Sequence, residues 1–361
     1  MTTDTSKHVL STTEVPRPRE SRNWLWSLLV GLAILGGLAL IPLLGDASTL
    51  HIWTLIVMYA VMAQSWNFIG GFTGYSAFGN VAFFGIGAYT TGLILLANQP
   101  FWLGLIAGAI VAGLFAFLLG LPVLRLKGHY FAIATLGTAE ALREFVTVRN
   151  IGGGGGGLIS LPLPSLDAYT GFFYAFLGLS LLCLLITVWL TRSRFGYALI
   201  AIRESEQAAE ALGIPTYRYK VAAFVLSAVP TALAGGLYAY WATGFDPPTV
   251  FDRGFSVEMV LLCFLGGAGT ILGPLVGAIA FELASTQLQT SGFSLHNTLL
   301  GLSIAIITIF LPQGVLRLVQ EFTRKPAELP GGAEQTPGSA RVHSFKEGVR
   351  RVRRFIAANG I

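Results

Sequence analysis

Ionisable side chains are scarce in this chain, so each one inside an apolar run is a candidate for chemistry. Glu140, Arg143 and Glu144 share one such run, and Glu258 and Glu282 fall in two later ones. Charges in segments of membrane length are costly and point by default to proton relays, ion paths or substrate contacts. The bland alternative is mutual neutralisation, because Arg143 lies three residues after Glu140 and next to Glu144. Glu258 and Glu282 have equivalent alternatives in capping a helix end or pairing across helices. His51, His129 and His296 stand near segment ends without metal-ligand spacing and read as satisfied polar contacts. Cys183 and Cys263 sit in apolar stretches and read as small core residues. No nucleophile–base pair or metal cluster can be assembled from these residues.

The six glycines 152–157 invite comparison with a phosphate cradle. No strand precedes them and no Lys-Ser/Thr follows, so the lysine and hydroxyl that a P-loop needs for phosphate and magnesium are missing. They read as a flexible external turn, or as a place where backbone approaches a partner or substrate closely.

Composition says what kind of element must carry these residues. Of 361 residues, 53% are hydrophobic and only 11% charged, against about 25% charged in an ordinary soluble domain. Mean hydropathy is +0.67. A soluble enzyme, a disordered chain and a disulfide scaffold are excluded, leaving an all-α polytopic membrane protein. A span needs about 20 mostly apolar residues, and ten segments qualify: 24–44, 51–69, 81–98, 101–121, 129–148, 168–190, 219–243, 255–272, 273–290 and 296–312. The fifth is the least apolar, and the eighth and ninth are the hardest to separate. The first is too long for a signal peptide and no cleavage site follows it.

Alternating these spans from an inside N-terminus places all Lys and Arg except Arg143, Arg149 and Arg253 in inside segments. The positive-inside rule then puts both termini in the cytoplasm. The net charge of +5 is thus an orientation signal and not a mark of nucleic-acid binding. The domain reading is a cytoplasmic tail over 1–23, expected to be disordered, a membrane domain over 24–312 and a basic cytoplasmic tail over 313–361. Within the last, Val342, Phe345, Val349, Val352, Phe355 and Ile356 recur at helical spacing among arginines. They suit either an interfacial helix on anionic lipid or a solvated tail.

Two Gly-rich stretches interrupt the helices, Gly-Gly-Phe-Thr-Gly-Tyr-Ser-Ala-Phe-Gly-Asn at 70–80 and Gly-Gly-Ala-Gly-Thr-Ile-Leu-Gly-Pro at 266–274. Unwound backbone at membrane depth survives only where it is buried in protein or lines a cavity. One break in each half suggests an internal repeat around a central pathway. Gly74, Tyr75, Phe78, Asn80, Phe83, Glu140, Glu258, Gly267 and Gly269 are the pathway candidates. Small residues just beyond each break, such as Gly85, Gly87 and Ala88, read as close helix packing.

The segment 191–218, between the sixth and seventh spans, holds an amphipathic helix. Leu199, Ile202, Ala209 and Leu212 make one apolar face, Arg203 can pair with Glu206, and Gly213 followed by Pro215 is a stop signal. The apolar face needs a receiver, either the membrane surface or a groove in a partner.

Glu206-Gln-Ala-Ala-Glu-Ala-Leu-Gly213 resembles a relaxed form of the coupling motif of ABC importer permeases. Together with 194–214, 70–79, 82–89, 126–136 and 265–274, it makes residues 50–315 similar to branched-chain amino acid permeases of the LivM type. Asn80 departs from the His or Gln that many relatives carry, and both terminal extensions lie outside the shared pattern. The resemblance implies a type II ABC importer-like permease in the inner membrane, with no cofactor and no enzymatic chemistry of its own. Implied partners are a second homologous permease, two cytoplasmic ATPases and an extracytoplasmic binding protein. Ile202, Arg203, Glu204, Ser205, Glu206, Ala208, Ala209, Glu210, Leu212 and Gly213 would form the coupling helix that meets an ATPase. The implied cargo is a branched-chain or other neutral amino acid, with urea or a short amide as the alternative. An ion-coupled carrier using Glu140 or Glu258 is the runner-up mechanism.

Overall fold

The computed structural model describes residues 23–44, 46–158 and 166–290. The expected tenth span and both tails lie outside the described residues. Every regular element among the described residues is a helix: α1 (Asn23–Leu38), α2 (Ile41–Leu44), α3 (Ala47–Thr73), α4 (Asn80–Leu96), α5 (Phe101–Val123), α6 (His129–Val148), α7 (Leu166–Arg192), α8 (Arg194–Glu204), α9 (Glu206–Ala211), α10 (Thr216–Ala242), α11 (Pro247–Val250), α12 (Arg253–Gly266) and α13 (Gly273–Thr290). The segments Trp24–Leu43, Ser48–Thr73, Phe101–Val123, Tyr169–Arg192 and Thr216–Ala242 are long and apolar enough to cross a membrane, whereas Asn80–Leu96 and Gly273–Thr286 are shorter.

Two expected spans look different in the structure. The eighth, drawn over 255–272, stops as a helix at Gly266 because Gly267 takes a φ of 116°. Its 14 residues cover about 21 Å at 1.5 Å per residue, less than the ~30 Å hydrocarbon thickness. The fifth, α6, is a helix over the whole expected range, but with Glu140, Arg143 and Glu144 in it this helix is not among the segments apolar enough to cross a membrane.

α10 runs through the centre and touches α3, α4, α5, α7 and α8. In lipid, helices associate by close van der Waals contact between small residues, since tails compete for apolar surface. α5 shows how this sequence meets that demand. Gly104, Gly108, Ala112, Ala116 and Gly120 recur every four residues and are all buried. Trp102, Ile110, Leu114 and Leu118, on the other side, are 55–64% exposed. A Cβ on Gly108 would lie 3.3 Å from the Gly87 Cα of α4. A Cβ on Gly87 would strike the Ala232 carbonyl of α10, and one on Gly235 of α10 the Phe84 carbonyl of α4. Gly85 and Gly87 are therefore packing positions, as their sequence context suggests.

At the end away from α8 and α9, the glycine run is ordered by the chain itself. Leu158 and Phe245 exchange backbone hydrogen bonds of 2.9 and 3.1 Å, and Gly157, at φ 75°, lets its backbone lie against that of Phe245 and Asp246. The close approach foreseen for this run is made to its own chain.

The α4–α10 contact yields a test. Gly235→Val should destabilise the folded protein by about 2–3 kcal/mol through overpacking, read by thermal unfolding in detergent. Gly113→Ala, whose Cβ would sit 3.5 Å from Val229, should change stability by less than ~0.5 kcal/mol.

Candidate functional site

The single amphipathic helix expected within 191–218 is two helices, because Ser205 is extended (φ −162°, ψ 110°). Its hydroxyl accepts from the Ala208 N–H at 3.3 Å and so caps α9. α9 ends as the sequence foretold. Gly213 is left-handed at φ 81°, its N–H bonds to Glu210 O, and the Ile214 N–H reaches back to Ala209 O at 3.0 Å. This paired closure is a Schellman motif, followed directly by Pro215.

The apolar face has a receiver within the chain. Leu199, Ile202 and Ala209 are 0–3% exposed, with α8 set against α3, α7 and α10. Leu212 does not join them and stands 80% exposed. Glu204, Ser205, Ala208, Glu210 and Gly213 share that outer surface. Three of the four residues of the expected apolar face are thus buried on either side of the Ser205 break, and only Leu212, at the C-terminal cap of α9, departs from it.

The break also redirects the charges. Arg203 does not pair with Glu206; its Nη1 donates to the Gly71 carbonyl of α3 at 2.7 Å. Glu206 turns inward to Lys220 of α10, with an Nζ–Oε1 distance of 2.6 Å. Lys220 Nζ also donates to the Tyr75 hydroxyl at 3.0 Å and to the Leu124 carbonyl at 3.2 Å. Three donors thus meet three acceptors, and the lysine side chain is only 3% exposed. Tyr75 Oη in turn donates to Glu206 Oε2 at 2.7 Å. Lys127 approaches the same carboxylate at 3.9 Å, and buried Thr216 donates to Glu210 Oε1 at 2.8 Å. Burial works to raise the Glu206 pKa, but the hydrogen bonds from Lys220 and Tyr75 and the charges of Lys220 and Lys127 outweigh it. The carboxyl is held below its ordinary 4.5.

The two Gly-rich breaks meet beside this cluster. Asn67 of α3 accepts the Gly269 N–H at 2.7 Å and donates to the Thr270 carbonyl at 3.2 Å. Gly269, at φ 79°, packs so tightly that a Cβ would strike the Arg203 guanidinium. Thr270 closes the turn by accepting from the Gly273 N–H at 2.9 Å. Segments some 200 residues apart, expected as separate parts of a pathway, are stitched together at the end where α8 and α9 sit.

Other candidates are scattered. Gly74 is the left-handed cap of α3, with its N–H on the Gly70 carbonyl. The Phe78 N–H donates to Thr135 Oγ1 at 3.1 Å. Asn80 is fully buried, with Nδ2 3.5 Å from Ser227 Oγ and no protein partner for Oδ1. Phe83 is enclosed by the rings of Phe115 and Phe224. Glu140 pairs with Arg143 at 3.2 Å and with Arg253 of α12 at 2.8 Å, and Glu144 pairs with Arg143 at 3.2 Å. Glu258 lies beside the Tyr59 hydroxyl and near Glu282. Gly267 caps α12 through a bond to the Cys263 carbonyl. His51 stacks near Trp241, with ring centroids 4.5 Å apart, His129 opens α6, and His296 lies outside the described residues. Cys183 and Cys263 are buried and free.

Sequence reasoning missed Lys220, Asn67 and Thr216. In the sequence Lys220 reads as one of the inside charges, yet it is the second residue of an apolar segment, where a buried ammonium needs a carboxylate, and Glu206 and Glu210 are the nearest along the chain. A depressed carboxyl pKa stabilises the fold above the unfolded value, and that contribution fades as pH falls through the folded one. Wild-type stability in detergent should therefore drop on acidification below about pH 4.5, whereas Glu206→Gln should start lower and lack that component.

Comparison with known proteins agrees with this architecture. Residues 48–311 match the family model for the branched-chain amino acid transport system permease component. The high-affinity branched-chain amino acid transport permease LivM of Escherichia coli K12 is 31% identical over 325 residues, covering 81% of this chain and 74% of that protein. LivM of Salmonella typhimurium LT2 is 30% identical over the same shares of each chain. The L-arabinose transport permease AraH of Escherichia coli K12 is 28% identical over 54% of this chain and 58% of its own. No solved structure matches. With its multi-helix membrane architecture and a match across most of its length, the chain belongs to the branched-chain amino acid transport permease family.

Proposed function

We propose that this protein is the membrane subunit of an ATP-driven importer for branched-chain or other neutral amino acids. α8–α9 is its contact with a cytoplasmic ATPase. The observation that carries this reading is the two-sidedness of α8–α9. Leu199 and Ile202 are buried in the bundle and the side chains of Arg203 and Glu206 bond to it, while Glu204, Ser205, Ala208, Glu210, Leu212 and Gly213 are exposed. An exposed Leu212 at the tip of a short helix is the kind of apolar knob that a groove receives. Movement of the tip would reach α3, the α3–α4 connection, the end of α5 and the α12–α13 turn through the polar contacts described above. The α8–α9 end is then cytoplasmic, which agrees with the distribution of Lys and Arg.

The assembly comprises a second homologous permease, two ATPases and an extracytoplasmic binding protein. Both termini are cytoplasmic, and the helix–break–helix units α3–α4 and α12–α13 form an internal repeat. The pathway wall runs along α3, α4 and α10. In support, Ser65 bonds Thr231 at 2.8 Å there, and Gln64 Nε2 and Asn80 Oδ1 are buried without protein partners. An ion-coupled mechanism through Glu140 is disfavoured by its two arginine partners.

Leu212→Arg should leave membrane insertion intact and cut co-purification with the ATPases about tenfold; unchanged association would contradict the contact. In vesicles holding the complete transporter, amino acid uptake should stop without ATP. Uptake that persists would overturn the importer reading.

A further inference from the structure

The outer face of α5 and α10 carries an apolar groove of about 580 Å³. Phe117 and Leu121 form one wall and Val221, Val225 and Val229 the other, with Arg218 at the α8–α9 end. Gly113 of α5 stands next to this second wall, where a Cβ would lie 3.5 Å from Val229 and 3.9 Å from Val225. Tyr217 closes the polar end, its hydroxyl donating to the Leu121 carbonyl at 2.6 Å. The Arg125 guanidinium carbon stands 6.0 Å from the centre of the Tyr217 ring. Among the described residues neither Arg125 nor Arg218 has a carboxylate partner.

We propose that this groove binds one anionic phospholipid, with an acyl chain along the valines and the head-group phosphate at Arg125 and Arg218. Length argues for lipid over a protein helix. From Arg218 to Val229 the groove follows eleven helical rises, about 16 Å. One leaflet of the hydrocarbon is about 15 Å deep, half of ~30 Å, whereas a transmembrane helix of a partner would run the full thickness. Charge argues for an anionic head group. Arg218 lines one end of a cleft whose remaining lining is almost wholly apolar, and Arg125 stands beside Tyr217 at that same end; planar guanidinium groups match phosphate oxygens bidentately. The proposal requires only that α5 and α10 span the membrane, so it stands apart from the question of ATPase coupling.

The test is lipid retention by the full chain after delipidation in detergent, measured by native mass spectrometry with phosphatidylglycerol and phosphatidylcholine offered in equal amounts. Wild type should keep phosphatidylglycerol in clear preference. Arg125→Gln combined with Arg218→Gln should lower that retention about twenty-five-fold, each basic residue near an anionic surface contributing roughly fivefold. Lysine at both positions should keep most of it. Ala222→Trp, which fills the groove, should reduce retention of both lipids while the elution profile stays monodisperse. Equal retention of the two lipids, or retention indifferent to these variants, overturns the proposal. So does efficient cross-linking of Val225→Cys to a second permease chain in the assembled transporter, which would place protein in the groove.

Discussion

The Lys220 side chain is only 3% exposed, at the foot of a helix whose following turns pack into the bundle. A charge taken out of water is tolerated only when opposite charge and hydrogen bonds replace its hydration. Glu206, Tyr75 and the Leu124 carbonyl supply that replacement, and each comes from a different element. α9, the α3–α4 connection and the end of α5 are therefore held to one small volume. The Ser205 break, which turns Glu206 inward, is the local condition for this arrangement.

A second constraint works by absence. Where α4, α5 and α10 cross, glycines bring backbones together because lipid offers no hydrophobic drive to press larger side chains into place. The same device operates at the joint. Gly71 and Gly269 let α3 and the α12–α13 turn approach until Asn67 and Arg203 can bond across them. Small residues in the membrane helices and polar bonds at the joint thus have one purpose, to fix how neighbouring helices meet.

Local features were legible in the sequence, and features that depend on distant partners were not. The stop of α9 could be read because Gly213 and Pro215 act through their own backbone preferences. The breaks at 70–80 and 266–274 could be read as breaks, yet nothing local shows that they meet, since Asn67 and Gly269 are far apart in the chain. Arg203 and Glu206 have the spacing of a helical pair, and only the extended Ser205 separates them. The apolar face of α8 was visible, but its receiver, the bundle itself, was not. Lys220 fits the inside-positive pattern, and nothing local to it shows that it is buried. Glu140 was visible with its local partner Arg143, whereas Arg253 lies more than a hundred residues away.

The central claim is that Lys220 and Glu206 act as one unit tying α9 to the bundle. A double-mutant cycle on unfolding stability, with Lys220→Met, Glu206→Gln and the combination, tests it most directly. If the claim holds, the double variant is less damaged than the sum of the singles, with an interaction energy of about 1–3 kcal/mol. Additivity within about 0.5 kcal/mol would show that the two groups do not depend on each other, and would contradict the account.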